Sequence, residues 1–232
     1  MSFILHEYDF KYTINVPPGG VMEINDNETP LIEEQIKADK RIDKIIIPES
    51  VIARRVKRLA SEIIRDYGNK NIDILVVLTG AIIFASDLGR AIYTIGEANV
   101  NYHLVKTSVY GGDIKKNGDE ENREVRILMP PGNISGRDII IVEDIVDQGF
   151  TLTWLSGYLL SEKKINSLRI CSLLDKSLEN PSDNIMKQRD KLRIDYAGFR
   201  ITDRWIAGYG IDTADTFRNL PFIITVNEEY YK

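Results

Sequence analysis

Glu143 and Asp144 are adjacent carboxylates at the end of a strand-like run, GRDIIIVEDIV (136–146). Asp147 follows three residues later, and Gln148, Gly149, Phe150 and Thr151 lead into a helix-like segment. Backbone amides over 148–151 at such a helix start would point at a phosphate, and the helix dipole favours its charge. Gly149 permits close backbone approach. The Thr151 hydroxyl can cap the helix or donate to a phosphate oxygen. The carboxylates can accept sugar hydroxyls or hold a hard cation. On spacing alone the alternative is an acidic turn with an ordinary N-cap.

The surrounding elements must position this package. KIIIPES (44–50) reads as a short strand ending in a turn, with Ser50 placed to cap the next helix. Ile52, Val56, Leu59, Ala60, Ile63 and Ile64 recur at helical spacing, and Gly68 ends that helix. Arg54, Arg55, Lys57 and Arg58 read as its solvated face. IDILVVLTG (72–80) is an apolar strand closed by glycine, AIIFASDLGRAIYTI (81–95) a helix and VNYHLVKTSVY (100–110) a strand carrying His103. Residues 111–122 have no periodicity and read as a mobile loop, before a strand at 124–130. The strand at 139–142 runs into the acidic residues, then come a helix (151–164) and a strand (165–176). Further short strands are expected at 192–199 and 222–226, whereas 1–43 reads as irregular. Strands alternating with helices predict an α/β fold, a mostly parallel sheet covered on both faces. Ligands then bind outside the carboxyl ends of the strands.

Composition narrows the classes. A chain of 232 residues with 43% hydrophobic residues supports one sizeable core. A net charge of −5 without a basic stripe argues against a general nucleic-acid binder. No apolar run reaches the ~20 residues of a membrane span, and the start has no signal-peptide pattern. The lone Cys171 cannot form an internal disulfide and reads as a small core residue of a cytoplasmic protein. GxGxxG and GxxxxGK[ST] are both absent, so dinucleotide-binding and P-loop readings lack support.

GRDIIIVEDIVDQGFTL resembles the phosphoribosyl-pyrophosphate signature of type I phosphoribosyltransferases. PESVIARRVKRLA and VVLTGAIIFASDL resemble the N-terminal half of the hypoxanthine-guanine phosphoribosyltransferases, and DYAGFRITDRWIAGYGIDTADTFRNL (195–220) resembles their 6-oxopurine segment. The resemblance covers roughly residues 20–226. It implies the type I phosphoribosyltransferase fold in one domain over 1–232, with a core at about 44–176 and a small hood from about 1–43 and 177–232. It also implies Mg²⁺ as cofactor, phosphoribosyl pyrophosphate and a purine base as ligands, and a homodimer or homotetramer.

By this resemblance Glu143 and Asp144 hold the ribose hydroxyls, in part through the metal. Asp147 exchanges a proton with purine N7, and Gln148, Gly149, Phe150 and Thr151 form the 5′-phosphate turn. Thr79 and Gly80 match the pyrophosphate loop, where the family often has a cis peptide, and Arg218 reaches pyrophosphate. Residues 108–122, with Val109 and Tyr110, match a lid. Lys176 donates to purine O6, Trp205 stacks on the base and Ile206 supplies backbone contacts to its edge. Asp212 is a further carboxylate at the base and metal site. His6 and His103 match no functional position.

Four positions depart from the family's usual residues: Thr79 and Phe150 replace lysines, Gln148 a threonine, and Val109 a serine before the lid tyrosine. These bear on affinity for phosphoribosyl pyrophosphate more than on reaction type. The expected function is purine salvage by transfer of ribose 5-phosphate to hypoxanthine, guanine or xanthine. The rivals are a nucleotide- or phosphoribosyl-pyrophosphate-sensing regulator without turnover, a nucleotide-binding interaction protein, and a transferase for another base.

Overall fold

The computed structural model describes residues 3–5, 11–23, 39–68, 70–110 and 124–230. Its strands are β1 (Phe3–Leu5), β2 (Ile14–Val16), β3 (Val21–Glu23), β4 (Ile42–Ile47), β5 (Ile72–Leu78), β6 (Val100–Tyr110), β7 (Glu124–Met129), β8 (Asp138–Val146), β9 (Ser167–Ser177), β10 (Tyr196–Thr202), β11 (Ile206–Ala207) and β12 (Ile223–Val226). Its helices are α1 (Glu49–Tyr67), α2 (Ile82–Gly96), α3 (Phe150–Ser161) and α4 (Asp183–Asp190), with a 3₁₀ turn at Glu228–Tyr230.

Seven strands form one sheet in the order β2-β10-β9-β8-β5-β6-β7, parallel throughout except that β7 runs against β6. Both faces are covered, as expected of a parallel sheet. Side chains alternate along β5: Ile74 and Val76 join Leu59, Ile63, Phe84 and Leu88 of α1 and α2 on one face. Leu75 and Val77 join Leu152, Leu155 and Leu159 of α3 on the other. Each of those buried leucines contributes roughly 1.5–3 kcal/mol, which fixes the start of α3 against the ends of β5 and β8. A second, antiparallel sheet, β11-β12-β4, has its own small core of Ile45, Ala207, Phe222, Ile224 and Val226. Among the described residues no helix is long and apolar enough to cross a membrane.

Several expectations need correction. The region 1–43 contains β1, β2 and β3, each of three residues and so too short to show a period. β2 and β10, from the segments expected to form the hood, complete the large sheet, while β4 belongs to the small one. Pro48 rather than Ser50 occupies the N-cap of α1, and the chain is already helical at Glu49. Gly68 ends α1 as expected, at φ +65° with its N–H donating to Ile64 O at 2.7 Å. Arg55 is not on a solvated face. It lies on the apolar stripe between Ile52 and Leu59, is 1% exposed, and donates to Ala197 O at 2.7 Å, Gly198 O at 3.1 Å and Glu62 Oε1 at 2.6 Å. Residues 111–122 of the expected lid lie outside the described residues.

Candidate active site

The carboxyl ends of β5, β8, β9 and β10 open on one cleft of about 1040 Å³, a volume suited to a nucleotide-sized ligand. Thr79, Asp147, Lys176 and Trp205 line it, and Asp43 of β4 reaches it from the small sheet.

β8 continues past Val142 to Val146, so the acidic pair belongs to the strand rather than to the turn after it. Ladder pairing of Glu143 with Ser172 and of Ile145 with Leu174 holds it there. Glu143 is 7% exposed and Asp144 9%. Burial pushes the Glu143 carboxyl well above its usual range, and the neighbouring Asp144 charge adds to this. Burial also raises Asp144. Asp144 accepts from Ile145 N–H at 2.9 Å. A Cβ at position 80 would stand 1.8 Å from Asp144 Oδ2, so Gly80 is the residue that lets the carboxylate sit against the loop after β5. The Leu78–Thr79 peptide entering that loop is cis.

The turn after β8 brings Asp147 out to partial exposure and reaches Gly149 at φ +86°, which favours glycine. Gly149 is the N-cap of α3, with no side chain capping the helix. Thr151 therefore lies within the first helical turn, facing the cleft, and is not the cap. Gln148 and Phe150 line the cleft beside it.

Lys176, near the end of β9, is 9% exposed, and its ammonium stands 3.3 Å from Asp147 Oδ2 and 3.5 Å from Asp203 Oδ1. Asp203 is held by Glu179 N–H at 3.1 Å. Trp205 is half-buried against the small core, its indole donating to Thr213 Oγ1 at 2.9 Å and its carbonyl accepting from Val226 N–H at 3.0 Å. Ile206 does not line the cleft: its side chain is buried in the main core and its backbone pairs with Thr225. Arg218 pairs with Asp212 at 2.6 Å and donates to Gly210 O at 2.8 Å. Val109 lines the cleft where β6 ends at Tyr110.

Glu143, Asp144 and Asp212 are not gathered into a three-carboxylate metal cage. Among the described residues no group of three or more His, Cys, Asp or Glu side chains is arranged to hold a metal. Asp212 instead engages Arg218 through Oδ1 and the Asp215 N–H through Oδ2.

A family model, the phosphoribosyl transferase domain, matches residues 46–214. The hypoxanthine-guanine phosphoribosyltransferase of Streptococcus pyogenes serotype M3 is 35% identical over 194 residues, covering 83% of this chain and 98% of that protein. The enzyme of the same name from Dictyostelium discoideum is 35% identical over 195 residues, covering 82% and 98%. The chain belongs to the hypoxanthine-guanine phosphoribosyltransferase family. A crystal structure of a hypoxanthine-guanine phosphoribosyltransferase from Bacillus anthracis superposes at a TM-score of 0.67 with 36% identity, covering 80% of this chain and 99% of that one. The sensing-regulator reading finds no support among these relatives of the family.

Two cleft residues of this hypoxanthine-guanine phosphoribosyltransferase family member escape a sequence reading. Asp203, the second carboxylate at Lys176, lies inside the segment DYAGFRITDRWIAGYGID but has no signal of its own. Asp43 comes from a strand distant in sequence and is tied to Thr225 Oγ1 at 2.8 Å.

Proposed function

We propose that this phosphoribosyltransferase joins hypoxanthine, guanine or xanthine to the ribose 5-phosphate of phosphoribosyl pyrophosphate. The products are a nucleoside 5′-monophosphate and pyrophosphate. The observation that carries the reading is Lys176, nearly buried between Asp147 and Asp203 in a cleft that Trp205 also lines. A lysine has only donors to offer, so it suits a 6-oxo edge.

In the reaction a purine nitrogen bonds to the anomeric carbon as the bond to pyrophosphate breaks, and positive charge develops on the ribose. Catalysis is then largely positioning and electrostatics. Glu143 and Asp144 hold the ribose hydroxyls, and the turn from Gln148 to Thr151 receives the 5′-phosphate. Asp147 accepts the N7 proton, Trp205 covers a face of the base, and Thr79, Gly80 and Arg218 meet the pyrophosphate. The buried acidic pair supplies hard oxygen donors that fit Mg²⁺, which is commonly held by one or two carboxylates, water and substrate phosphates. When bound, Mg²⁺ neutralises charge on the leaving pyrophosphate.

The buried Cys171, free of any disulfide, suits a cytoplasmic enzyme. We read residues 1–232 as one domain. A homodimer or homotetramer would cover Tyr93, Tyr102, Leu104 and Leu128, exposed apolar side chains of α2, β6 and β7.

The test is to supply phosphoribosyl pyrophosphate, Mg²⁺ and each base, and to identify products by chromatography. Nucleoside monophosphate and pyrophosphate in equal amounts from a 6-oxopurine support the reading. Failure with all three bases, with the ligands nevertheless bound, would restore the sensing alternative.

A further inference from the structure

Behind the turn at 147–149, outside the cleft, lies α4. Its N-cap Ser182 accepts from Ile185 N–H at 3.3 Å, and Asp183 suits its first turn as Lys187 and Arg189 suit its last. Only Ile185 of this helix is buried, so the core does little to hold it. Its contacts run instead to the strand ends that carry the site. Arg189 Nη1 donates to Val146 O at 3.2 Å, the last carbonyl before Asp147. Arg189 Nη2 donates to the Asp175 carboxylate and to Lys176 O, the latter at 3.4 Å. Gln188 O accepts from Thr153 Oγ1 of α3 at 3.2 Å. A Cβ on Gly149 would come within 2.9 Å of Leu192 Cδ1 and 3.3 Å of Arg189 Cδ, so this segment also packs against the turn.

We propose that Arg189 is a positioning residue that locks the phosphate turn and the base-facing lysine into one unit. A guanidinium is a planar fork with five donors, and one such group can join a carboxylate to two carbonyls of different strands. Here it ties the end of β8 to the end of β9. Asp147 follows the first anchored carbonyl, and Lys176 carries the second. Arg189 touches no substrate; it fixes the distance between the 5′-phosphate turn and the O6 donor. Productive catalysis depends on such distances to within about 1 Å.

Arg200 supplies the internal control. It also pairs with Asp175, at 3.1 and 3.2 Å, on the other carboxylate oxygen. None of its hydrogen bonds reaches Val146 O or Lys176 O. If Arg189 mattered only by balancing the buried Asp175 charge, loss of Arg200 would move the same readout in the same direction.

The proposal rests on the reading of 148–151 as the 5′-phosphate turn, and the test separates the two. Affinities for inosine 5′-monophosphate and for inosine are measured by calorimetry on the full chain, together with the thermal midpoint of each variant. The wild type is expected to favour the monophosphate strongly; no such preference would sink the turn assignment and the proposal with it. With the wild-type preference present, Arg189→Ala should reduce it by about tenfold or more, and Arg200→Ala should leave it within about twofold. An unchanged preference in Arg189→Ala, or an equal loss in Arg200→Ala, would overturn the positioning role alone. Should Arg189→Ala not fold, Arg189→Lys serves: one ammonium cannot span the three acceptors. A reduced preference in that variant supports the role, and an unchanged one overturns it.

Discussion

Lys176 Nζ stands 3.3 Å from Asp147 Oδ2, although 29 residues separate them in sequence. The parallel pairing of β8 with β9 makes this possible, because both strands end on the same side of the sheet. The proposed proton acceptor for N7 and the proposed donor to O6 are therefore neighbours, as N7 and O6 are on a 6-oxopurine.

Asp147→Asn removes the proposed proton acceptor while keeping size and hydrogen-bonding capacity. Turnover should fall by roughly 10²-fold or more, with affinity for the nucleoside monophosphate nearly kept. Pre-steady-state kinetics would separate the chemical step from product release. Wild-type turnover would remove Asp147 from the mechanism.

Thr79 is exposed at the cleft rim and Phe150 is part-exposed on the first turn of α3. Thr79→Lys and Phe150→Lys should each lower the Michaelis constant for phosphoribosyl pyrophosphate. An exposed pairing contributes up to about 1 kcal/mol, or roughly fivefold. If initial-rate measurements show no change in either variant, backbone amides suffice.

At Gly80 an added methyl would overlap Asp144 Oδ2, at 1.8 Å. Gly80→Ala must displace that carboxylate, and kcat/KM should fall about tenfold or more through lost positioning. Gly132→Ala is the control, since nothing lies within 4 Å of the added Cβ. Equal kinetics in both variants would contradict the role given to Asp144.

Arg55 does not line the cleft, and its partners include Glu62 and the carbonyls of β10, so we read it as a structural group. Arg55 is buried but Glu62 only partly so, and losing the guanidinium takes a donor from that carboxylate and from two backbone carbonyls, at a cost of roughly 1–3 kcal/mol. Arg55→Ala should lower denaturant stability by that order and leave the kinetic constants of the folded enzyme within about twofold. A stability unchanged in urea unfolding would show that the pairing with Glu62 and the carbonyls of Ala197 and Gly198 contributes little.

The segment from Asp138 to Ser161 is legible in sequence because an apolar strand, a glycine turn and a helix each leave their own pattern. The boundary at Glu143 is less so: charged residues inside a strand look like its end, and only the ladder to β9 keeps them in register. α4 leaves little trace, having one buried residue, although Ser182 and Asp183 are start signals. Arg55 shows the converse. Helical spacing already places it on the apolar stripe, but residue type suggests solvent, and the carbonyls that receive it come from β10, over 140 residues away. Lys176 and Trp205 are found through family resemblance; Asp203, 3.5 Å from the Lys176 ammonium, becomes visible only when β9 and β10 are set side by side.

The central claim is that this cleft selects a 6-oxopurine, and the ratio of kcat/KM for hypoxanthine to that for adenine tests it most directly. In the proposed reading, stacking on Trp205 would contribute roughly 1–3 kcal/mol to any purine and could not tell the two apart. Lys176 can: adenine would set an amino group against a nearly buried ammonium, and sites that leave such groups unpaired discriminate by roughly 10⁴-fold. The account predicts a ratio of that order in the wild type, its collapse in Lys176→Ala, and its survival in Trp205→Ala with weaker binding of all purines. Adenine used as well as hypoxanthine, or a ratio untouched by Lys176→Ala, would contradict it.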